Sequence, residues 1–187
     1  MTATPLPAGV ADPAVPDIID GVVPLAPGHP VHTARHERAK VVASTQGSYE
    51  GMFAASVPGI SVTERLLAAL HACRLSRSDG LAAFYRARLV AEGADAALID
   101  AVDVGSTANG HFPTDPRLAT ILSFTSKLIL KPIDGDRDAV AGLQAVGLST
   151  PAIVALGQLI AFLSYQIRVV AGLKAMVAAT AENEAAA

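Results

Sequence analysis

The chain has 187 residues, of which 51% are hydrophobic and only 17% charged, with a formal net charge of −3. That length suits one domain. Scattered Lys and Arg residues with no basic stripe argue against nucleic acid or an anionic membrane as a partner. A single cysteine, Cys73, excludes an intramolecular disulfide and any cysteine-based metal site, and the apolar excess predicts an obligate homo-oligomer.

Residues 1–30 contain Pro5, Pro7, Pro13, Pro16, Pro24, Pro27 and Pro30. Each removes a backbone donor and fixes φ, so the segment reads as an extended arm with one short turn at Asp17-Ile18-Ile19-Asp20. It lacks a basic n-region and an unbroken apolar h-region, so no signal peptide is expected. From Val31 to Phe53 the spacing of Ala34, Val41, Val42, Tyr49 and Met52 predicts one surface helix, ended by Pro58 and Gly59.

Ser61 and Thr63 are both candidate N-caps for the next helix, with Glu64 in its first turn, where the helix dipole favours an anion. That helix should turn Leu66, Leu67, Leu70 and Leu75 inward. A break over residues 76–80 precedes a helix from Leu81 to Glu92, closed by Gly93 in the C′ role. Asp95 can cap a short helix through Val102, and residues 104–116 read as a loop.

Leu118, Ile121, Leu122, Thr125, Leu128 and Ile129 recur at helical spacing up to Pro132. A helix over residues 138–146 should end at Gly147. Thr150, as N-cap before Pro151, should open a long helix to Ala179, apolar nearly all round and so placed at the domain centre or in a subunit interface. The Ala-rich residues 181–187 are expected to fray. The longest apolar run, Ala152 to Leu163, is interrupted by Gln158 and is shorter than the ~20 residues a bilayer span needs. No alternating strand pattern occurs, so the expectation is an all-α domain over residues 31–180, cytoplasmic and without a cofactor.

The stretch SVTERLLAALHACRLSRSDGLAAFYRARLVAEG resembles the core helix pair of the carboxymuconolactone decarboxylase family. RLATILSFTSKLILKP with LQAVGLSTPAIVALGQLIAFLSYQIRVVAGL is similar to the C-terminal helices of its alkylhydroperoxidase D-like, peroxidase-related branch. Together these segments make up about half of the chain. The resemblance implies a helical bundle, an oligomer and an antioxidant, hydroperoxide-reducing activity. That activity works through an acidic residue, a Cys-x-x-Cys pair and a His one turn on.

This chain departs from that pattern. Aligned on Thr63-Glu64-Arg65 without gaps, Ser78 and Leu81 stand at the cysteine positions, Tyr85 at the histidine and Leu66 at the acid. With Glu64 taken as the acid, the positions fall on Ser76, Asp79 and Ala83. Neither register restores a dithiol. Cys73 reads either as a small buried residue or as a one-cysteine peroxidase or sensor thiol, although a mid-helix position gives it no dipole assistance.

Glu64 and His71 are seven residues apart and point within about 20° of one direction, whereas Cys73 is about 200° round from His71. The Glu64-His71 face offers either acid–base work on a small carbonyl or lactone, or simply a capping Glu and a core His bonded to a backbone carbonyl. His29, His32 and His36 form a histidine cluster in which His32 and His36 share one face at i, i+4 spacing. Only Glu37, on another face, is near them in sequence, and a zinc site needs three or four convergent ligands, so a solvated helix start is expected and no metal site. His111, in the loop with Asn109 and Phe112, could reach over a pocket or simply be exposed.

Residues 105–110 lack the Lys-Ser/Thr of a phosphate loop, and Ser76 and Ser78 lack a His-Asp pairing for nucleophilic catalysis. Three functions follow: an alkylhydroperoxidase-like oxidoreductase acting through Cys73, a catalytically silent ligand-binding protein or partner subunit of an intact peroxidase-like paralogue, or a thiol-free lactone decarboxylase or isomerase using Glu64 and His71.

Overall fold

A computed structural model describes residues 17–105 and 114–185. Among them every regular element is helical. α1 spans Ile18–Val22, α2 Pro30–His36, α3 Ala39–Met52, α4 Val62–Leu75 and α5 Asp79–Ala91. α6 spans Ala96–Gly105, α7 Pro116–Leu130, α8 Arg137–Ala145 and α9 Thr150–Ala185, with a 3-10 turn at Pro132–Asp134.

The central element is α4. Residues 65–73 are buried without interruption, which requires neighbours on every side, and α5, α6, α7 and α9 supply them. Ser61 rather than Thr63 is the N-cap. Its hydroxyl accepts from the Glu64 backbone N–H at 3.1 Å, while the Glu64 carboxylate accepts from the Ser61 N–H at 2.7 Å. This reciprocal capping box fixes where the core helix begins.

Arg65, next in sequence, is 1% exposed. Its guanidinium donates to the carbonyls of Met52, Ala54 and Ser61, tying the end of α3 to the start of α4. Three bonded carbonyls offset the cost of burying that cation.

Several boundaries follow the sequence. Gly93 and Gly147 adopt φ of +73° and +84° after α5 and α8, a conformation open to glycine at little cost. The Asp95 carboxylate accepts from the Leu98 N–H at 2.8 Å, and the Asp115 carboxylate caps α7. On α7, Leu118, Ile121, Leu122 and Thr125 are buried, while Leu128 and Ile129 are half-buried.

Other expectations need correction. The proposed arm is part of the core from its seventeenth residue: Ile18, Ile19, Val22, Val23 and Leu25 are all buried. Asp17 makes this possible by capping α1, its carboxylate accepting from Ile19 and Asp20. Residue 30 is therefore no packing boundary. The single helix expected over 31–53 is two, α2 and α3, separated by Glu37 and Arg38, where neither Gly nor Pro signals a break. Leu75 is half-buried rather than inward.

α9 begins one residue after Ser149, whose carbonyl accepts from Ile153, so Ser149 and not Thr150 is the residue before the first turn. The helix continues through Ala185, past the end expected at Ala179. It is also not enclosed. Ala152, Leu156, Leu159, Ile160, Leu163, Gln166 and Val170 are buried, while Val154, Tyr165 and Met176 are exposed. By length and composition its stretch Thr150–Glu182, which holds an 18-residue window of mean hydropathy 1.7, is apolar enough to cross a membrane, which the count of the uninterrupted run missed. Its buried side chains pack on α4, α7 and α8.

Candidate functional site

The turn from α4 to α5 sits where the resemblance places redox chemistry. Ser78 is the N-cap residue of α5, Leu81 lies in its first turn and Tyr85 one turn further on. Thiols at 78 and 81 would occupy a helix start, where the dipole favours a thiolate. The side chains present fill that place instead. Leu81, Tyr85 and Leu66 are each 0% exposed. The Tyr85 hydroxyl donates to Gln166 Oε1 on α9 at 2.7 Å, and burial pushes the phenol well above its usual range. In the alternative register Ser76 closes α4, Asp79 opens α5 with its carboxylate 3.1 Å from Arg74, and Ala83 offers no reactive group.

Cys73 is fully buried in the main core cluster. Burial pushes its thiol well above the ordinary value, and the opposing pull of Arg74 is the smaller effect. A thiol held this way has almost no thiolate at neutral pH, and the thiolate is the nucleophile.

His71 is 2% exposed. Burial drives its pKa down to about 4, against a weaker opposing bond to the Leu122 carbonyl, and its Nε2 lies 2.7 Å from Ser126 Oγ. Glu64 points the same way but serves α7 through another partner: Arg117 Nε donates to its Oε1 at 2.6 Å. Burial would raise the Glu64 pKa. The bonds from Arg117 and Ser61 outweigh it and hold the carboxyl below its ordinary value. Arg117 also donates to the carbonyls of Gly59 and Val146, so it joins three segments at the α4–α7 seam. Two helical turns put about 10 Å of axial rise between Glu64 and His71, too far for a hydrogen bond. The shared face is real, and its two members have separate structural partners.

A different cluster was only half visible in the sequence. His32 and His36 stack in parallel on α2, with ring centroids 4.0 Å apart and 14° between planes. Asp20 on α1 faces both: its Oδ2 is 2.7 Å from His36 Nε2 and 4.0 Å from His32 Nε2. Arg35 Nη1 donates to Asp20 Oδ1 at 2.6 Å, and its Nη2 lies 3.0 Å from the Asp17 carboxylate. The carboxylate joining the histidines is thus Asp20 and not Glu37. His29 stands apart as the N-cap of α2, its Nδ1 accepting from the Val31 N–H at 3.2 Å.

Between α2, α3 and α9 lies an open cavity of about 280 Å³, walled by Ile19, Arg35, Val42, Thr45, Tyr165 and Leu173 among others. The Thr45 and Tyr165 hydroxyls are hydrogen-bonded to each other at 3.0 Å on its wall. Asn109, His111 and Phe112 lie outside the described residues.

Sequence reasoning missed Asp20, Arg65, Arg117 and Gln166. Gln166 carried a signal, being a polar residue inside an apolar helix. The others depend on which helices meet. Comparison with models of known protein families and with curated proteins found no match to this chain. The class that the structure itself defines is an all-α single domain of helices around a buried central one.

Proposed function

We propose that this chain is an alkylhydroperoxidase D-like, peroxidase-related helical protein whose dithiol site has been filled in, and that it works as a non-redox ligand-binding protein or partner subunit. The observation that carries this reading is the combination of a fully buried Cys73 with Leu81 and Tyr85 packed into the core where the redox groups would stand. A peroxidase needs a thiolate that a hydroperoxide can reach. Acid–base chemistry on a lactone is also disfavoured. His71 is sealed and neutral, and Glu64 is committed to the capping box and Arg117.

The cavity between α2, α3 and α9 is accessible and largely apolar, with Arg35, Arg38 and the Thr45–Tyr165 hydroxyls as polar handles. That pattern suits a small apolar ligand with a polar or anionic end. Exposed Val154, Tyr165 and Met176 along α9 support association with a second subunit, its own copy or a peroxidase-like paralogue.

The test is hydroperoxide consumption by the purified chain with a thiol reductant, wild type against Cys73→Ser. The proposal expects no turnover above background in either protein. Turnover present in wild type and lost in the variant would replace the proposal with a one-cysteine peroxidase.

A further inference from the structure

We propose that Asp20, His32 and His36 form a binding site for a divalent transition metal ion, with zinc the best fit to the donors. This inference stands apart from the function proposed above and rests on three observations.

The first is donor type and convergence. Two imidazole nitrogens and one carboxylate oxygen lie within 4.8 Å of one another. Two imidazoles with a carboxylate is a donor set that zinc and its neighbours accept, whereas magnesium and calcium take oxygen. Ligands bound about 2.1 Å from a tetrahedral ion stand roughly 3.4 Å apart. The two donor distances, 2.7 Å and 4.0 Å, bracket that value. Against that value the His36 separation must open by about 0.7 Å and the His32 separation close by about 0.6 Å.

The second is orientation. Arg35 Nη1 donates to Asp20 Oδ1 and also lies 3.3 Å from His36 Nε2, a contact the ion would displace, while Oδ2 faces the histidines. The i, i+4 spacing on α2 stacks the two rings and directs both Nε2 atoms to the same oxygen. An outer partner that fixes a ligating carboxylate in this way is characteristic of metal centres.

The third is charge and access. Arg35 is held between Asp17 and Asp20, so its cation is more than balanced, and these three side chains together carry one formal negative charge. Asp20 is nearly buried, while the His36 side chain is 34% exposed, which leaves one side of the site open to solvent. Three protein ligands with an open fourth position is the pattern of zinc sites that bind a water or a ligand atom, in contrast to the closed four-ligand structural kind. Arg35 also lines the neighbouring cavity, so the ion would sit directly behind that wall.

The experiment is titration of the metal-free full chain with Co²⁺, followed by its visible absorption, and then displacement by Zn²⁺. The variants are His32→Gln, His36→Gln and the control His29→Gln. His32→Gln leaves the Asp20–Arg35 and Asp20–His36 contacts in place, so its fold should persist, and helical circular dichroism checks this. The expected result is one saturable Co²⁺ per chain, displaced by Zn²⁺, with affinity weakened by about tenfold or more in His32→Gln and His36→Gln and unchanged in His29→Gln. No saturable binding by wild type, or equal binding by wild type and the His32 and His36 variants, would overturn the assignment.

Discussion

His71 allows a sharp thermodynamic prediction. In the folded chain its imidazole is 2% exposed and its pKa is driven from the ordinary 6.5 to about 4, chiefly by burial. In the unfolded chain it titrates near 6.5. Between those values the unfolded state binds a proton that the folded state refuses. The His71 contribution is therefore intact above pH 6.5 and is lost as pH falls toward 4. Each unit is worth about 1.4 kcal/mol, so the whole window amounts to about 3 kcal/mol, and the span from pH 7 to pH 5 to about 2 kcal/mol.

The perturbation is His71→Gln, which keeps a polar side chain opposite Ser126 and removes the titration. The variant should be less stable at pH 7, since its amide fits the Ser126–Leu122 contacts imperfectly. Urea unfolding of both proteins at pH 7 and pH 5 reads the difference. Wild type should lose about 2 kcal/mol more than the variant between the two. Equal losses would mean that His71 is not sealed and would reopen its candidacy as an acid–base group.

Three further outcomes follow from the same contacts. Tyr85→Phe removes the hydroxyl that donates to Gln166 Oε1 and should cost about 1–3 kcal/mol in urea unfolding, while Tyr85→Phe with Gln166→Leu should recover much of that loss by removing both polar partners. Arg117→Ala strips Glu64 of its cation and frees the Gly59 and Val146 carbonyls. It should cost about 1.5–3 kcal/mol and raise the Glu64 pKa, the latter read by carboxyl NMR titration. Ser78→Cys with Leu81→Cys places two thiols across the start of α5 at a separation of about 5–6 Å between Cα atoms. Mild oxidation should join them and leave Cys73 reduced, as thiol counting would show, whereas a pair that stays reduced would argue against this register.

Local chemistry made the helices legible. Gly93 and Gly147 after their helices and Asp95 before α6 act within one turn, and a linear reading finds them, whereas Ser61 had Thr63 as a rival cap and Pro116, which opens α7, read as loop. The break at Glu37 and Arg38 carries no such residue. It falls where Arg35 and His36 reach back to α1, a tertiary demand that periodicity cannot express. Asp20 was invisible for the same reason, because prolines around it suggested an arm and its partners lie 12 and 16 residues downstream.

The candidate site divides likewise. Helical spacing put Glu64 and His71 on one face correctly, but only packing shows that each is already taken, by Arg117 and by Ser126. Spacing also gave no hint that α4, rather than the longer α9, would be the enclosed helix. Its alanines at 68, 69 and 72 let neighbours close in on every side.

The central claim is that this helical frame seals Cys73 away from thiol chemistry, and modification of Cys73 tests it without any choice of hydroperoxide. Labelling with an aromatic disulfide would be timed in the native chain and after denaturation in urea. The account predicts one thiol per chain released at once in urea and, without denaturant, labelling so slow that it tracks global unfolding and quickens in destabilised variants such as Arg117→Ala. Full labelling of the native protein at the rate of a free thiol would contradict it, because a reagent that reaches Cys73 leaves room for a peroxide to do so.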